Sequence, residues 1–184
     1  MKKQRLIGVQ SKGDWKLVRE QLQKVFEVDP NYAAAWSLQG DVELRSLNPQ
    51  LAEEAFTKAI NNSNHRLDDR YKRALVRLQM NNIDGAKEDI DVLLKRAPRS
   101  PGTHYLQGIL HFHNRDIKDA VSAFDLAQND EDRYPMSLFY LATAHNLEGN
   151  YALAEDFAYR FLALVPSSVA GRKLLATMKL RSED

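Results

Sequence analysis

Four histidines, His104, His111, His113 and His145, are the residues of this sequence best suited to ligating a metal, because neutral imidazole is a common zinc ligand. Two ligands on one helix share a face only when three or four residues apart. His111 and His113 are two apart and point to different sides, so no metal site is expected. The acidic pairs Glu53-Glu54, Asp68-Asp69 and Glu131-Asp132 have the chemistry of a general acid and base. They fall at helix starts or in linkers, where the helix dipole favours a carboxylate, and no nucleophile or electrophile accompanies them. The chain has no cysteine, which removes thiol nucleophiles, disulfides and cysteine-ligated zinc. Glycine-rich phosphate loops and nucleophile elbows are missing too. Neither an enzyme nor a cofactor is expected.

Charge narrows the partners. Lysine plus arginine number 26 against 25 aspartate plus glutamate, a formal charge of +1, which gives no electrostatic footprint for a phosphate backbone or an anionic membrane. The basic groups Arg70, Lys72, Arg73, Arg77 and Arg172, Lys173, Lys179, Arg181 are expected to be solvated helix faces paired with neighbouring acids. Nucleic acid is not expected as a partner. The N-terminal stretch from Met1 to Val9 is basic and meets polar residues from Gln10 onward, so no apolar signal core follows, and no later segment is apolar enough to insert in a bilayer. A cysteine-free chain survives oxidising and reducing surroundings alike, so the compartment stays open.

The elements that carry these residues follow from a period. Gly40, Ala74, Gly108, Ala142 and Ala176 recur every 34 residues, all small, where two helices can approach closely. Val18, Ala52, Ala86, Ala120 and Ala154 form a second column, and Leu22, Phe56, Ile90, Phe124 and Ala158 a third, one helical turn later. Val25, Ala59, Leu93, Ala127 and Phe161 extend the stripe, and Pro30, Asn64, Pro98, Asp132 and Pro166 fall where the helix must stop. Between the first two columns come the turn and cap residues Asn48-Pro49, Asn81-Asn82, Arg115-Asp116 and Gly149-Asn150, with Gly13-Asp14 upstream. Each period therefore holds two helices joined by a short turn, at 33–46 and 49–62 first, then again from 67, 101 and 135, with a lone helix at 168–181. His111 and His145 stand one period apart, which makes them equivalent packing positions rather than a ligand pair.

These columns resemble the tetratricopeptide repeat, whose tryptophan, small residue, alanine, aromatic and alanine are matched by Trp36, Gly40, Ala52, Phe56 and Ala59, and whose proline by Pro98 and Pro166. The resemblance covers residues 14–181. It implies an all-α fold, a right-handed superhelical solenoid of antiparallel helix pairs. The array would run as a partial repeat at 1–32, full repeats at 33–66, 67–100, 101–134 and 135–168, and a C-terminal helix at 169–184. Starting and stopping in mid-repeat is expected of a fragment of a longer protein, since terminal units normally cover the apolar end.

The resemblance also implies a function, the holding of a protein or peptide in a concave groove lined by the first helix of each repeat. The lining residues would be Ser37, Asp41 and Leu44, then Tyr71, Leu75 and Leu78, then Tyr105, Ile109 and Phe112, then Phe139, Thr143 and Asn146. Their middle is aromatic and aliphatic, which suits an amphipathic helix or peptide. The chain departs from the family at columns that are usually apolar, with Gln39, Arg73 and Gln107 in one and Glu43, Arg77, His111 and His145 in another. If that departure rotates the first helices, Tyr71, Tyr105, Ile109 and Phe112 are core instead. The Lys and Asn clamp with which some members grip a C-terminal carboxylate is absent, its positions being Ser37, Asp41, Lys72, Gly102 and Leu106, or, one repeat on, Tyr71, Leu75, Leu106, Met136 and Tyr140.

More specifically, Ala74-Leu-Val-Arg-Leu, Tyr159-Arg-Phe-Leu-Ala-Leu-Val-Pro166 and Arg172-Lys-Leu-Leu-Ala176 look like the repeat lipoproteins associated with bacterial PEP-CTERM/exosortase sorting and exopolysaccharide systems. That likeness implies an exported portion of a periplasmic or envelope-anchored protein, the cytoplasm being the alternative. A regulatory sensor module and a self-assembling domain, a homo-oligomer through the terminal helix at Lys173 to Leu180, stand as the other functional readings.

Overall fold

A computed structural model describes residues 12–63 and 66–182. The stretch 3–10 and Asn64 lie outside them. Among the described residues every regular element is helical, and the chain divides into two compact units at Asn81 and Asn82.

The first unit holds α1 (Lys12–Val28), α2 (Ala33–Arg45), α3 (Pro49–Asn61) and α4 (Leu67–Gln79). The second holds α5 (Ile83–Arg96), α6 (Pro101–His113), α7 (Ile117–Ala127), a 3-10 turn at Gln128–Asp130, α8 (Met136–Leu147), α9 (Tyr151–Leu164) and α10 (Val169–Ser182). Starts are written into the sequence by Pro49 and Pro101 in the first turns of α3 and α6, where the missing N–H costs nothing, and by Asn82, whose side chain accepts from Gly85 N at 3.1 Å.

The turns that close the hairpins are geometrically one turn repeated. Leu47, Asn81, Arg115 and Gly149 all have positive φ, from 61° to 80°. In three of these turns the next residue's N–H reaches back over the left-handed residue, Asn48 N to Glu43 O, Asp116 N to His111 O and Asn150 N to His145 O, each at 2.9 Å. The left-handed residue itself donates to the carbonyl three before it, Leu47 N to Leu44 O at 3.1 Å and Arg115 N to Phe112 O at 3.2 Å. This is the Schellman ending, which satisfies helix carbonyls that would otherwise be orphaned.

Close approach within the α2–α3 and α6–α7 hairpins rests on the small column. A Cβ on Gly40 would lie 2.4 Å from the Phe56 ring, and one on Gly108 would lie 2.6 Å from Phe124, so only glycine lets those fully buried rings lie flat on the facing helix. In the first unit Phe56 joins Ala52 and Val76 in a buried cluster, with Leu44 and Met80 packed against it. Ala176 differs from the rest of its column: it is exposed on α10, where Gly171, facing Phe161 of α9 with a Cβ position 2.7 Å away, makes the close contact instead.

In the first unit the polar columns are partnered across the helix seams. Glu43 is buried, and its two oxygens accept from Arg19 Nε at 2.8 Å and Arg19 Nη2 at 3.1 Å, so α1 is clipped to α2. Arg77 Nε donates to Glu53 Oε1 at 2.5 Å and Arg73 Nη1 to Thr57 Oγ1 at 2.9 Å, so α3 is joined to α4 in the same way. Arg73 is buried, and with Arg77 it belongs to a helix–helix seam rather than to the solvated face expected for this basic group.

Candidate functional site

The first-helix face of the first unit is largely polar. On α2, Ser37 is buried and its hydroxyl donates to Asp69 Oδ1 at 2.5 Å, with Arg66 paired to the same carboxylate. Asp41 pairs with Lys72 of α4 at 2.7 Å, and the Lys72 ammonium stands 5.6 Å from the Phe56 ring centre. Of the α4 residues expected to line a groove, Tyr71 and Leu75 are half-buried and Leu78 is buried.

In the second unit the corresponding face is aromatic, and Tyr140 of α8 is its hub. Tyr140 stacks on Phe124 at 4.9 Å with the rings 1° from parallel, and meets Phe112 of α6 edge-on at 5.2 Å and Phe139 at 6.0 Å. Phe139 also leans on Phe161 of α9 at 5.4 Å. Tyr105 lies beneath, 9% exposed, stacked on Tyr134 at 5.5 Å. Burial, with the nearby Tyr140 hydroxyl, pushes the Tyr105 phenol up from its ordinary value, and burial raises Tyr140 too, so both stay neutral at any physiological pH. Ile109, Phe112, Phe139, Thr143 and Asn146 are half-buried, flanked on α8 by the exposed Met136 and Leu147. The Thr143 hydroxyl is spent on the Phe139 carbonyl at 2.8 Å. Asn146 Oδ1 is buried with no hydrogen-bond partner, a state that costs about 1–3 kcal/mol.

The histidines do not converge. His145 is buried with its ring stacked on Phe157 at 5.6 Å; its Nδ1 comes within 3.4 Å of Glu148 Oε2 without hydrogen-bond geometry. Burial raises the nearby Asp125 carboxyl, an effect His145 opposes. His111 lies 3.8 Å from Asp116, and His113 is exposed. Among the described residues no three His, Asp or Glu side chains are placed to hold a metal. Of the acidic pairs, Glu53 and Glu131 are joined to Arg77 and Arg160 at 2.5 Å each, and Asp69 is buried as above.

Residues 71–135 match the tetratricopeptide repeat family profile. A tetratricopeptide repeat protein from Parabacteroides merdae superposes on 92% of this chain and 67% of its own, with a TM-score of 0.72 at 19% identity. The fold is a tetratricopeptide-repeat solenoid. The crystal structure of the APC/C hetero-tetramer Cut9–Hcn1 matches 93% of the chain with a TM-score of 0.83 at 18% identity, and the chain spans only 34% of that protein's length. Pseudomonas aeruginosa pilF matches 92% of the chain, over 83% of its own, with a TM-score of 0.71 at 16% identity. No curated protein matches the sequence.

Within this tetratricopeptide fold, Tyr140 and Tyr134 are the members of the aromatic face that the repeat pattern had not assigned to it. Tyr140 stands in the column of Leu38, Lys72 and Leu106, which the sequence pointed to only as a position of the carboxylate clamp. Its signal was the adjacency of two aromatics, Phe139-Tyr140, on a first helix. No helix among the described residues is long and apolar enough to cross a membrane.

Proposed function

We propose that the chain is a non-catalytic scaffold whose second unit holds a peptide or amphipathic helix on the α6–α8 face. A tetratricopeptide fold is suited to protein–protein interaction, and the observation that carries the reading is the aromatic row in which Tyr140 meets both Phe112 and Phe139, flanked by the exposed Met136 and Leu147. Large side chains half-buried in a shallow row suit a helix that inserts apolar residues every third or fourth position. Tyr105 supports the row from below instead of meeting the ligand. In the first unit Tyr71 and Leu75 offer a smaller apolar contact beside the Asp41–Lys72 pair. The periplasmic or envelope setting rests on the resemblance of the three segments described above, and is tested by fractionating cells that express a tagged copy.

The function is tested by selecting ligands for the full chain from a displayed peptide library and measuring them against variants. Phe139→Ala is expected to weaken selected peptides at least tenfold, as removal of a central aromatic anchor does. Met136→Glu, at an exposed position with little bearing on folding, is expected to weaken the same peptides. Peptides that bind both variants as well as the wild type would reject the face.

A further inference from the structure

A second concavity lies on another side of the first unit. It is a cleft of about 340 Å3 between α1 and α3, floored by α2. Its floor residues Trp36 and Glu43 sit one position before Ser37 and Leu44, about 100° round the helix from the first-helix face. Trp36 is fixed from three directions. Its ring stacks on Phe26 at 4.0 Å, its Nε1 donates to Pro30 O at 2.7 Å, and the Lys58 ammonium stands 4.0 Å from its ring centre.

The cleft holds two cations, Arg19 and Lys58, and two carboxylates, Glu43 and Glu54, of which only Glu43 is spent within the chain. Glu43, the carboxylate at its floor, is saturated: Oε1 accepts from Arg19 Nε at 2.8 Å and Gln39 Nε2 at 2.5 Å, and Oε2 from Arg19 Nη2 at 3.1 Å and Asn48 Nδ2 at 2.9 Å. A carboxylate has about four acceptor sites, so none is left for a ligand. Lys58, by contrast, is paired with no carboxylate among the described residues, and a cation–π contact leaves its three N–H groups free to donate. Among the described residues the Arg19 Nη1 amino group meets no hydrogen-bond partner. Among the described residues the competing acid is Glu54, exposed and one turn before Lys58 on α3, with no ion pair of its own there. Leu51, Ala55 and Phe26 supply an apolar wall for a methylene stem.

The second unit contains a cleft of about 350 Å3 at the same helix positions, 68 residues or two periods further on. There Asp119 replaces Leu51, Leu126 replaces Lys58, and His111 replaces Glu43. It offers no lysine or arginine, and Asp119 is its one carboxylate among the lining residues, so it lacks the cations that the ligand of the first cleft would meet.

We propose that the cleft of the first unit is a second binding site, for an acidic peptide segment whose side-chain carboxylate pairs with Lys58 and the free edge of Arg19 while its stem lies on Leu51 and Ala55. Because the Lys58 ammonium lies against the indole of Trp36, drawing it onto a ligand carboxylate changes the surroundings of that indole.

The experiment uses the full chain carrying Trp15→Phe, which leaves Trp36 as the single tryptophan, titrated with acetylated tetraglutamate and, separately, acetylated tetralysine while indole emission is read. A saturable change with tetraglutamate alone, weakened by salt and shifted at least tenfold to higher concentration by Lys58→Gln, is the expected result. Glu54→Gln should tighten binding by removing the competitor, and Phe139→Ala should leave it unchanged, which separates this site from the face proposed above. No saturable response to tetraglutamate, an equal response to tetralysine, or full binding retained by a folded Lys58→Gln chain would each overturn the proposal.

Discussion

Replacing Gly108 with alanine sets two known effects against each other and asks the fold which is larger. Alanine in the middle of a helix is favoured over glycine by about 1 kcal/mol. At Gly108, however, the new Cβ would lie 2.6 Å from both Cδ1 and Cε1 of Phe124 and 2.9 Å from its Cγ. Ordinary carbon contacts sit near 3.5–4.0 Å, so the ring must retreat by roughly 1 Å. It has nowhere to go, because Phe124 is fully buried and stacked on Tyr140 at 4.9 Å, with Tyr105 at 6.2 Å. Overpacking of this kind costs about 1–3 kcal/mol, and a rigid ring boxed by other rings places it at the upper end. The expected net loss is about 2 kcal/mol, which for a chain of this size lowers the melting temperature by roughly 4–8 °C. Thermal and urea unfolding followed by far-ultraviolet circular dichroism measure it. Adding Phe124→Leu should relieve the clash, so that this second substitution costs less in the Gly108→Ala background than in the wild type by at least about 1 kcal/mol. A Gly108→Ala chain as stable as the wild type, or strictly additive double-mutant energies, would refute the account of why the small column exists.

Two further outcomes are expected. Leu47 is 86% exposed and held at φ 62°, a left-handed conformation that disfavours a side chain by about 1–2 kcal/mol, so Leu47→Gly, despite the looser unfolded chain, should stabilise by about 0.5–1 kcal/mol in urea unfolding; a loss would mean that the Leu47 side chain makes a contact worth more than the strain. The hydrogen bond from Arg19 holds the Glu43 carboxyl below its ordinary value of 4.5, against the opposing effect of burial, so the clip's contribution is fully present above about pH 4.5 and is lost as pH falls through the lower folded value. Glu43→Gln should therefore cost about 1–2 kcal/mol at neutral pH, Arg19 being partly solvated, and should flatten the acid limb seen in tryptophan emission, since Trp15 and Trp36 both report on the α1–α2 contact; an unchanged acid limb would reject Glu43 as its source.

The solenoid was legible because its small column is under a hard steric constraint. Gly40 and Gly108 recur where they do because a phenylalanine ring lies on them, and no other choice of residue fits. The turns were legible as turns but not in their conformation: Gly149 and Asn81 suit a left-handed φ, whereas Leu47 and Arg115 adopt it under compulsion from the hairpin. The candidate face was legible only in outline. Spacing places Leu78 and Tyr105 in the same row as Leu75 and Ile109, yet the first two are buried and the others half-buried, because exposure along a row depends on the size of the neighbours across it. Tyr134, in the linker before α8, covers Tyr105, and no period assigns a linker residue to a helix. The polar columns were the least legible, since a charge at a usually apolar position can be accommodated by rotation of the helix or by a partner. For Glu43, Arg73 and Arg77 a partner was supplied, whereas His145 is buried against the Phe157 ring with its Nδ1 unbonded among the described residues.

That partnership has a pattern that stability alone does not explain. Arg19 and Glu53 occupy the same position of successive second helices, and Glu43 and Arg77 the same position of successive first helices, each pair 34 residues apart. The ion pairs they form, Arg19–Glu43 and Glu53–Arg77, are therefore one contact made twice with its polarity reversed. A desolvated ion pair adds little net stability over a leucine of similar size. Its effect on the wrong partner is much larger. Hairpins that share apolar columns can dock out of order during folding, because the apolar contacts scarcely distinguish one neighbour from another. With the polarity reversed, docking α3 where α1 belongs sets Glu53 against Glu43, and docking α1 where α3 belongs sets Arg19 against Arg77, each a like-charge contact in a partly desolvated seam that costs several kcal/mol. A swapped docking of α1 and α3 would thus meet a like-charge contact that leucines at the same positions would not present.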